Sequence, residues 1–354
     1  MLRRMTHRLL SVAAAPQSPD YNRTSDPRVI TAVTTNAAPA TRPPGSLRRF
    51  AWGVLAYNVA VIVWGSAVRA TSSGAGCGDH WPLCNGTLVQ HHPAIATLIE
   101  FAHRATSGID LVCVLALFFW TFAATPRSHL ARACAVAVLV LTFNEALLGA
   151  LLVLLGHTAQ DRSPARAVYL ALHLTNTLLL LAALTLTAHF LSRHAGAMRG
   201  TLLIRAPRLA LASLIVTLIV GVTGSLAALG DTLYPAHNLL TALTQDFSSS
   251  SAWLLKIRWL HPALSLIAAV LIVWLAIRTL RIQTSGPSHP QPDRSLATGV
   301  LLLLVLQVLL GIADVAFLAP TWLQMSHLLG ADLLWITLVL LAAGTCLIPR
   351  AGED

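Results

Sequence analysis

The feature that most constrains this chain is the recurrence of uncharged apolar blocks of nearly equal length. Phe50 to Val68 is one and Leu296 to Leu318 is another, and about 20 apolar residues in a helix cross the hydrocarbon of a bilayer. Eight such blocks can be drawn, at about 50–69, 98–122, 129–155, 167–191, 207–229, 254–278, 296–318 and 322–347. A bilayer offers backbone groups no water, so each block is expected as a helix, whose hydrogen bonds close within itself. The sequence therefore predicts an all-α integral membrane protein with eight transmembrane helices. Its 11% of charged residues, against about a quarter in soluble domains, points the same way.

The net charge of +10 comes almost wholly from arginine, with Lys256 the single lysine. A basic face interleaved with aromatics, as nucleic acid would need, is missing outside the spans, so no nucleic-acid partner is expected. Arginines instead mark loop sides. Arg48, Arg49, Arg127, Arg193, Arg199, Arg205, Arg208, Arg278, Arg281, Arg294 and Arg350 all fall on one side of the eight blocks, while loops 70–97 and 230–253 carry Asp79, Asp231 and Asp246 and no Lys or Arg. The short loop after span three is an exception, with Arg162 and Arg166. The arginine-rich side is read as cytoplasmic, with both termini inside and the cell membrane expected before a mitochondrial inner membrane. Residues 1–47 have no apolar period and no h-region; they read as a disordered cytoplasmic tail rather than a cleavable signal, although their arginines and few acids also suit a transit peptide.

The chain resembles itself. EALLGALLVL from Glu145 parallels QVLLGIADVA from Gln307, with Gly149 and Gly311 each four residues on. IEFAHRATSGIDLV around His103 parallels IRWLHPALSLIAAV around His261. A duplicated four-helix unit accounts for this, with an amino-terminal half at 48–195 and a carboxyl-terminal half at 196–350.

His103, His173, His261 and His327 occupy spans two, four, six and eight, each shortly after its span begins. At about 1.5 Å per residue they share one depth near the outer face. An imidazole inside a bilayer is costly without a partner, so each is a functional candidate. One alone reads as a histidine bonded to a neighbouring helix; four at matched depth, two per half, read as two haem sites, because facing histidines of a bundle clamp haem iron from both sides. No matching Asp, Glu or Cys set accompanies both pairs, as zinc or di-iron would want. The loop histidines His80, His91, His92 and His157 read as solvated, with copper at His91–His92 the sharper alternative.

Glu100 lies three residues before His103 and shares its helical face. It is either a proton carrier beside a haem edge or the ion-pair partner of Arg104. At the corresponding place the second half has Arg258. Cys113, Cys134 and Cys346 sit within apolar blocks and read as buried hydrophobes. Cys77 and Cys84 bracket GDHWPL in an outer loop, where a disulfide is favoured over a zinc site that would need two further ligands.

Taken together, WGSAVRATSSGAGCGDHWPLCNG after span one, IEFAHR opening span two and the single histidines of spans four, six and eight resemble the haem A synthase family over nearly the whole chain after residue 48. The resemblance implies a membrane oxidoreductase that converts the C8 methyl group of haem O to a formyl group, giving haem A for cytochrome oxidase. It implies that His103 and His173 ligate the substrate haem, that His261 and His327 hold a resident haem b, that Glu100 is the catalytic acid, and that Cys77 and Cys84 form the loop disulfide. Its implied partners are haem O, a haem O synthase, an electron acceptor and membrane lipid. Pro262 departs from the family's arginine after the third histidine. Arg258 is the candidate to replace that arginine at a haem propionate, and Pro262 is expected to bend span six. Glu145 and Asp110 are buried acids expected to be hydrogen-bonded. Two rival classes remain, a quinol-linked dihaem electron-transfer cytochrome and a haem carrier.

Overall fold

The computed structural model describes residues 43–87, 93–193, 208–281 and 293–345. The readings made for His91, His92, Cys346, Arg199, Arg205, Arg350 and residues 1–42 of the tail lie outside these. The described residues are helical apart from loops and one isolated bridge, Cys84 to Thr87. Ten helices follow in order: α1 (Gly45–Ala70), α2 (Ile95–Ala124), α3 (Leu130–Leu154), α4 (Pro164–Ser192), α5 (Arg208–Leu233), α6 (Leu239–Gln245), α7 (Trp253–Lys256), α8 (Leu260–Arg281), α9 (Arg294–Ala316) and α10 (Thr321–Thr345). Eight segments are long and apolar enough to cross a membrane, with α7 and α8 counted as one.

Helix starts follow local chemistry. Ser163 caps α4 by accepting from Arg166 N–H at 3.2 Å, with Pro164 at the first helical position, where its missing N–H costs nothing. Asp293 caps α9 through Ser295 and Leu296 N–H at 3.1 and 3.2 Å. His129 caps α3 by accepting from Ala131 N–H at 3.2 Å.

Packing runs in two closed quartets. In the first, α1 lies on α2, α2 on α3, α3 on α4, and α4 returns to α1; in the second, α5, α8, α9 and α10 close the same way. The quartets meet where α4 packs on α5 and α10, and α1 on α10. Phe190, Leu181, Leu184, Val114 and Leu117 fill the first core and are joined by Trp335 and Val339 from α10. Ile272, Leu275, Leu338 and Val300 fill the second. Ile95, Val112, Phe119, Leu266, Leu302 and Ile312 point outward and are each more than half exposed. On a soluble protein such a coat would aggregate; here it is the surface that meets acyl chains.

One expectation needs correcting. Span six is not one helix bent at Pro262. It breaks earlier, between α7 and α8, and Pro262 stands in the first turn of α8, where no intrahelical donor is lost. Within loop 230–253, Asn238 caps the short helix α6 by accepting from Thr241 N–H at 2.8 Å.

Candidate functional site

The four histidines come from four different helices, α2, α4, α8 and α10, and all are half-buried. His261 and His327 face one another with ring centroids 6.3 Å apart and planes at 85°. His103 and His173 lie within electrostatic reach of each other.

Each imidazole rests on a glycine of a neighbouring helix. A Cβ added at Gly65 of α1 would stand 2.9 Å from His103 Cε1, and at Gly224 of α5 2.8 Å from His261 Cε1. At Gly311 of α9 it would stand 3.0 Å from His327 Cε1, and at Gly149 of α3 3.9 Å from His173 Cε1. No other residue type leaves the first three rings where they are. Gly65 and Gly224 escaped the sequence reading. Gly149 and Gly311 were visible in the repeated motif, but their task was not.

The other ring nitrogens show how each histidine is oriented. His261 Nδ1 bonds the carbonyl of Val220 at 3.1 Å, which fixes the tautomer and leaves Nε2 free. His103, His173 and His327 each have a buried Nδ1 without a hydrogen bond. Glu145 Oε1 comes within 3.5 Å of His173 Nδ1. That carboxylate is held by Thr177, and by Asn176 Nδ2 at 2.5 Å. Gln307 occupies the parallel place beside His327, with its Nε2 3.3 Å from His327 Nε2. Asp110 accepts from Asn58 at 2.8 Å. Both acids are thus hydrogen-bonded, Asp110 buried and Glu145 half-buried.

Of its two readings, Glu100 meets the second, as the ion-pair partner of Arg104. Oε1 takes Arg104 Nη2 at 2.6 Å and Nε at 3.2 Å, while Oε2 accepts the Cys77 N–H at 2.8 Å. Cys77 and Cys84 are joined by a disulfide. Arg104 completes the cover by donating to the carbonyls of His80 and Leu83 at 2.6 and 2.8 Å. Thr97 donates to Gly76 O at 2.7 Å, and Gly76 lies so close that a Cβ would meet the Ala96 backbone at 2.5 Å. The disulfide loop is therefore pressed onto the start of α2, one turn from His103.

The second quartet covers the same end by other means. Arg258 donates to Asp231 at 2.5 Å, to Asp246 at 2.8 Å and to the carbonyl of Ala242 at 2.5 Å. Its guanidinium is thereby committed to the loop, so the expectation that Arg258 serves a propionate is withdrawn. His157 is likewise not a solvated histidine: it bonds Asp161 at 2.9 Å and stacks on Tyr169. His80 is exposed, as expected.

Arg69 was passed over by the loop count because it closes α1. Its Nη1 donates to Ala228 O and Thr232 Oγ1, both at 2.9 Å, and its Nη2 to Gln324 Oε1 at 2.8 Å. The available signal was an arginine at the end of a span opposite the arginine-rich loops.

Among the described residues no three His, Cys, Asp or Glu side chains converge as a metal cluster. The site instead offers opposed single imidazoles, a donor set that suits an iron already held by four macrocycle nitrogens. His261 and His327, with ring centroids 6.3 Å apart, are the residues that would hold such a group.

Fold and site together define a multi-pass helical membrane protein with paired histidines beneath a covered end. The chain belongs to the COX15-CtaA family of cytochrome oxidase assembly proteins, whose model matches residues 48–339. It is 42% identical over 301 residues to the protoheme IX farnesyltransferase of Thermus thermophilus, a match covering 84% of this chain and 48% of that protein. The chain thus spans about half the length of that relative. It is 41% identical over 101 residues to the heme A synthase of Bacillus licheniformis, covering 28% of this chain and 32% of the other. With the heme A synthase of an Exiguobacterium species it shares 37% identity over 90 residues, 25% and 30% of the two chains.

Proposed function

We propose that this chain is a haem A synthase, oxidising the C8 methyl group of haem O to a formyl group by successive two-electron steps. The observation that carries the reading is the opposed pair His261 and His327, each seated on a glycine, together with its counterpart His103 and His173 beside Glu100. Membership of a cytochrome oxidase assembly family and the matches to heme A synthases support it.

On this reading the two quartets are copies of one duplicated unit. The first, His103 and His173, takes haem O, and the second, His261 and His327, keeps a haem b. That haem b would supply a one-electron relay for the oxidation. The protein's own contribution is positional and protonic. The glycines admit the imidazoles, Val220 O fixes the tautomer of His261, and Glu145 restrains His173 from behind its Nδ1. Glu100 is the one carboxylate held beside both His103 and the disulfide cover, and it can accept a proton at Oε2 when the Cys77 N–H bond opens. The cover keeps water from the first pair while the methyl carbon is oxidised. We place the chain in the cell membrane with both termini cytoplasmic and the disulfide on the outer, oxidising side, receiving haem O from a haem O synthase and passing electrons to an acceptor.

The test is expression with a haem O supply, followed by extraction and identification of the haems. Recovery of haem A alongside haem B is the expected result, and in Glu100→Ala haem content should persist while haem A disappears. Haem A production unaffected in Glu100→Ala makes Glu100 a bystander. Haem O left unconverted by the unaltered chain removes the synthase reading in favour of an electron-transfer cytochrome or a haem carrier. Haem O formed from protohaem and farnesyl diphosphate would instead assign the activity named for the Thermus relative.

A further inference from the structure

Polar side-chain bonds between the two quartets are few among the described residues, and three of them come from a single side chain. Arg69 leaves the last turn of α1, crosses to α5 at Ala228 and Thr232, and reaches α10 at Gln324. Its place along each helix matters more than the number of bonds. Arg69 lies one turn beyond Gly65, the residue under the His103 imidazole. Ala228 lies one turn beyond Gly224, the residue under His261. Gln324 precedes His327 by three positions, so it stands on the same face one turn above it. One planar guanidinium therefore touches helix segments adjacent to three of the four histidines.

We infer that Arg69 is a positioning residue, which locks α1 to the first turn of α10 and so aligns the second histidine pair from within the first quartet. The inference rests on the haem reading above. The fork geometry of the guanidinium is what the position requires, since three acceptors on two helices are met by two terminal nitrogens in one plane. Lysine offers one nitrogen on a flexible stem and cannot span them. Gln324 is itself held at its other end, its Nε2 donating to Ala319 O at 2.5 Å. Displacing Oε1 from Arg69 therefore acts on the turn that carries His327. Asp231 and Asp314 lie near enough to act on the guanidinium's charge, and this keeps a buried cation tolerable at the junction.

The experiment uses the full chain purified with its haems, in a His103→Ala background that leaves only the second pair loaded. Four variants are compared there: Arg69→Lys, Arg69→Gln, Gln324→Ala and Thr232→Val. The readouts are haem per chain, the position and width of the absorption bands, and the midpoint potential. Arg69→Lys and Gln324→Ala should each lose haem several-fold on dilution and broaden the bands. Arg69→Gln, which also removes the charge, should in addition lower the potential, because a nearby cation disfavours the oxidised haem. Thr232→Val removes one acceptor on α5 and should change little. Wild-type bands, haem content and potential in both Arg69→Lys and Gln324→Ala overturn the inference, and because Gln324→Ala leaves the buried charge in place, misfolding of an arginine variant does not obscure the answer. A parent chain that binds no haem at all overturns the haem reading, and this inference with it.

Discussion

The glycine seats give the sharpest test of the histidine pairs, because one of the four is roomy and serves as its own control. Gly224→Ala would place a Cβ 2.8 Å from His261 Cε1, whereas unstrained carbon contacts lie at about 3.5–4.0 Å. The imidazole must then recede by roughly 0.7–1 Å. Its bond to Val220 O, now 3.1 Å, would pass out of hydrogen-bond range, losing about 1 kcal/mol. Crowding of a packed site adds about 1–3 kcal/mol. A free side chain would swing aside at little cost, but an imidazole clamped on iron cannot. The whole penalty therefore falls on retention of the haem, and about 2–4 kcal/mol means roughly 30- to 700-fold weaker binding. Gly149→Ala puts its Cβ 3.9 Å from His173 Cε1, an ordinary contact, and should retain haem as the parent does. The assay is haem per chain after extended washing in detergent, read from the absorption of the purified protein. Equal retention in the two variants would refute the claim that the His261 imidazole is fixed by a ligand.

Replacing Cys77 and Cys84 by serine opens a cross-link between residues seven apart; stability should fall by about 2–3 kcal/mol, seen as a lower midpoint of thermal unfolding, and an unmoved midpoint would show that Arg104 and Glu100 suffice to hold the loop. His129 caps α3 only as a neutral acceptor, and burial together with Arg132 lowers its pKa below the ordinary imidazole value. The cap's stability is therefore present above that ordinary value and lost as the pH falls below it, so a His129→Asn chain should show a flatter melting profile between neutral and mildly acidic pH; parallel profiles would contradict this. Asp332 is fully buried with neither carboxyl oxygen bonded, an arrangement that costs stability, so Asp332→Asn should melt no lower than the parent, and a large loss of stability would reveal a partner for the carboxyl.

The spans were legible because a bilayer permits one solution to the backbone bonding problem, and the apolar blocks recorded it directly. The histidines were legible for the same reason, since an imidazole in an apolar block needs a cause. What lay beyond reach was mostly a matter of which helix touches which. Gly65 and Gly224 look like ordinary glycines until α1 is laid beside His103 and α5 beside His261. Pro262 looked like a kink because nothing in the sequence marks the break between Lys256 and Leu260, which turns the proline from a helix interior residue into a first-turn one. Arg258 looked available because its two acids, Asp231 and Asp246, are distant in sequence and were counted only as loop charges. Arg69 was hidden by its position at the boundary between span and loop.

The two covers differ in one fastening, and so they answer differently to their surroundings. One is stitched by a sulfur–sulfur bond with Glu100 beneath it; the other is clasped by Arg258 between Asp231 and Asp246. A thiol reductant would cut one fastening of the first cover and leave the second, which is clasped by charges, untouched, whereas concentrated salt would weaken the ion pairs of both. The two covers thus share a sensitivity to ionic strength, and redox conditions separate them.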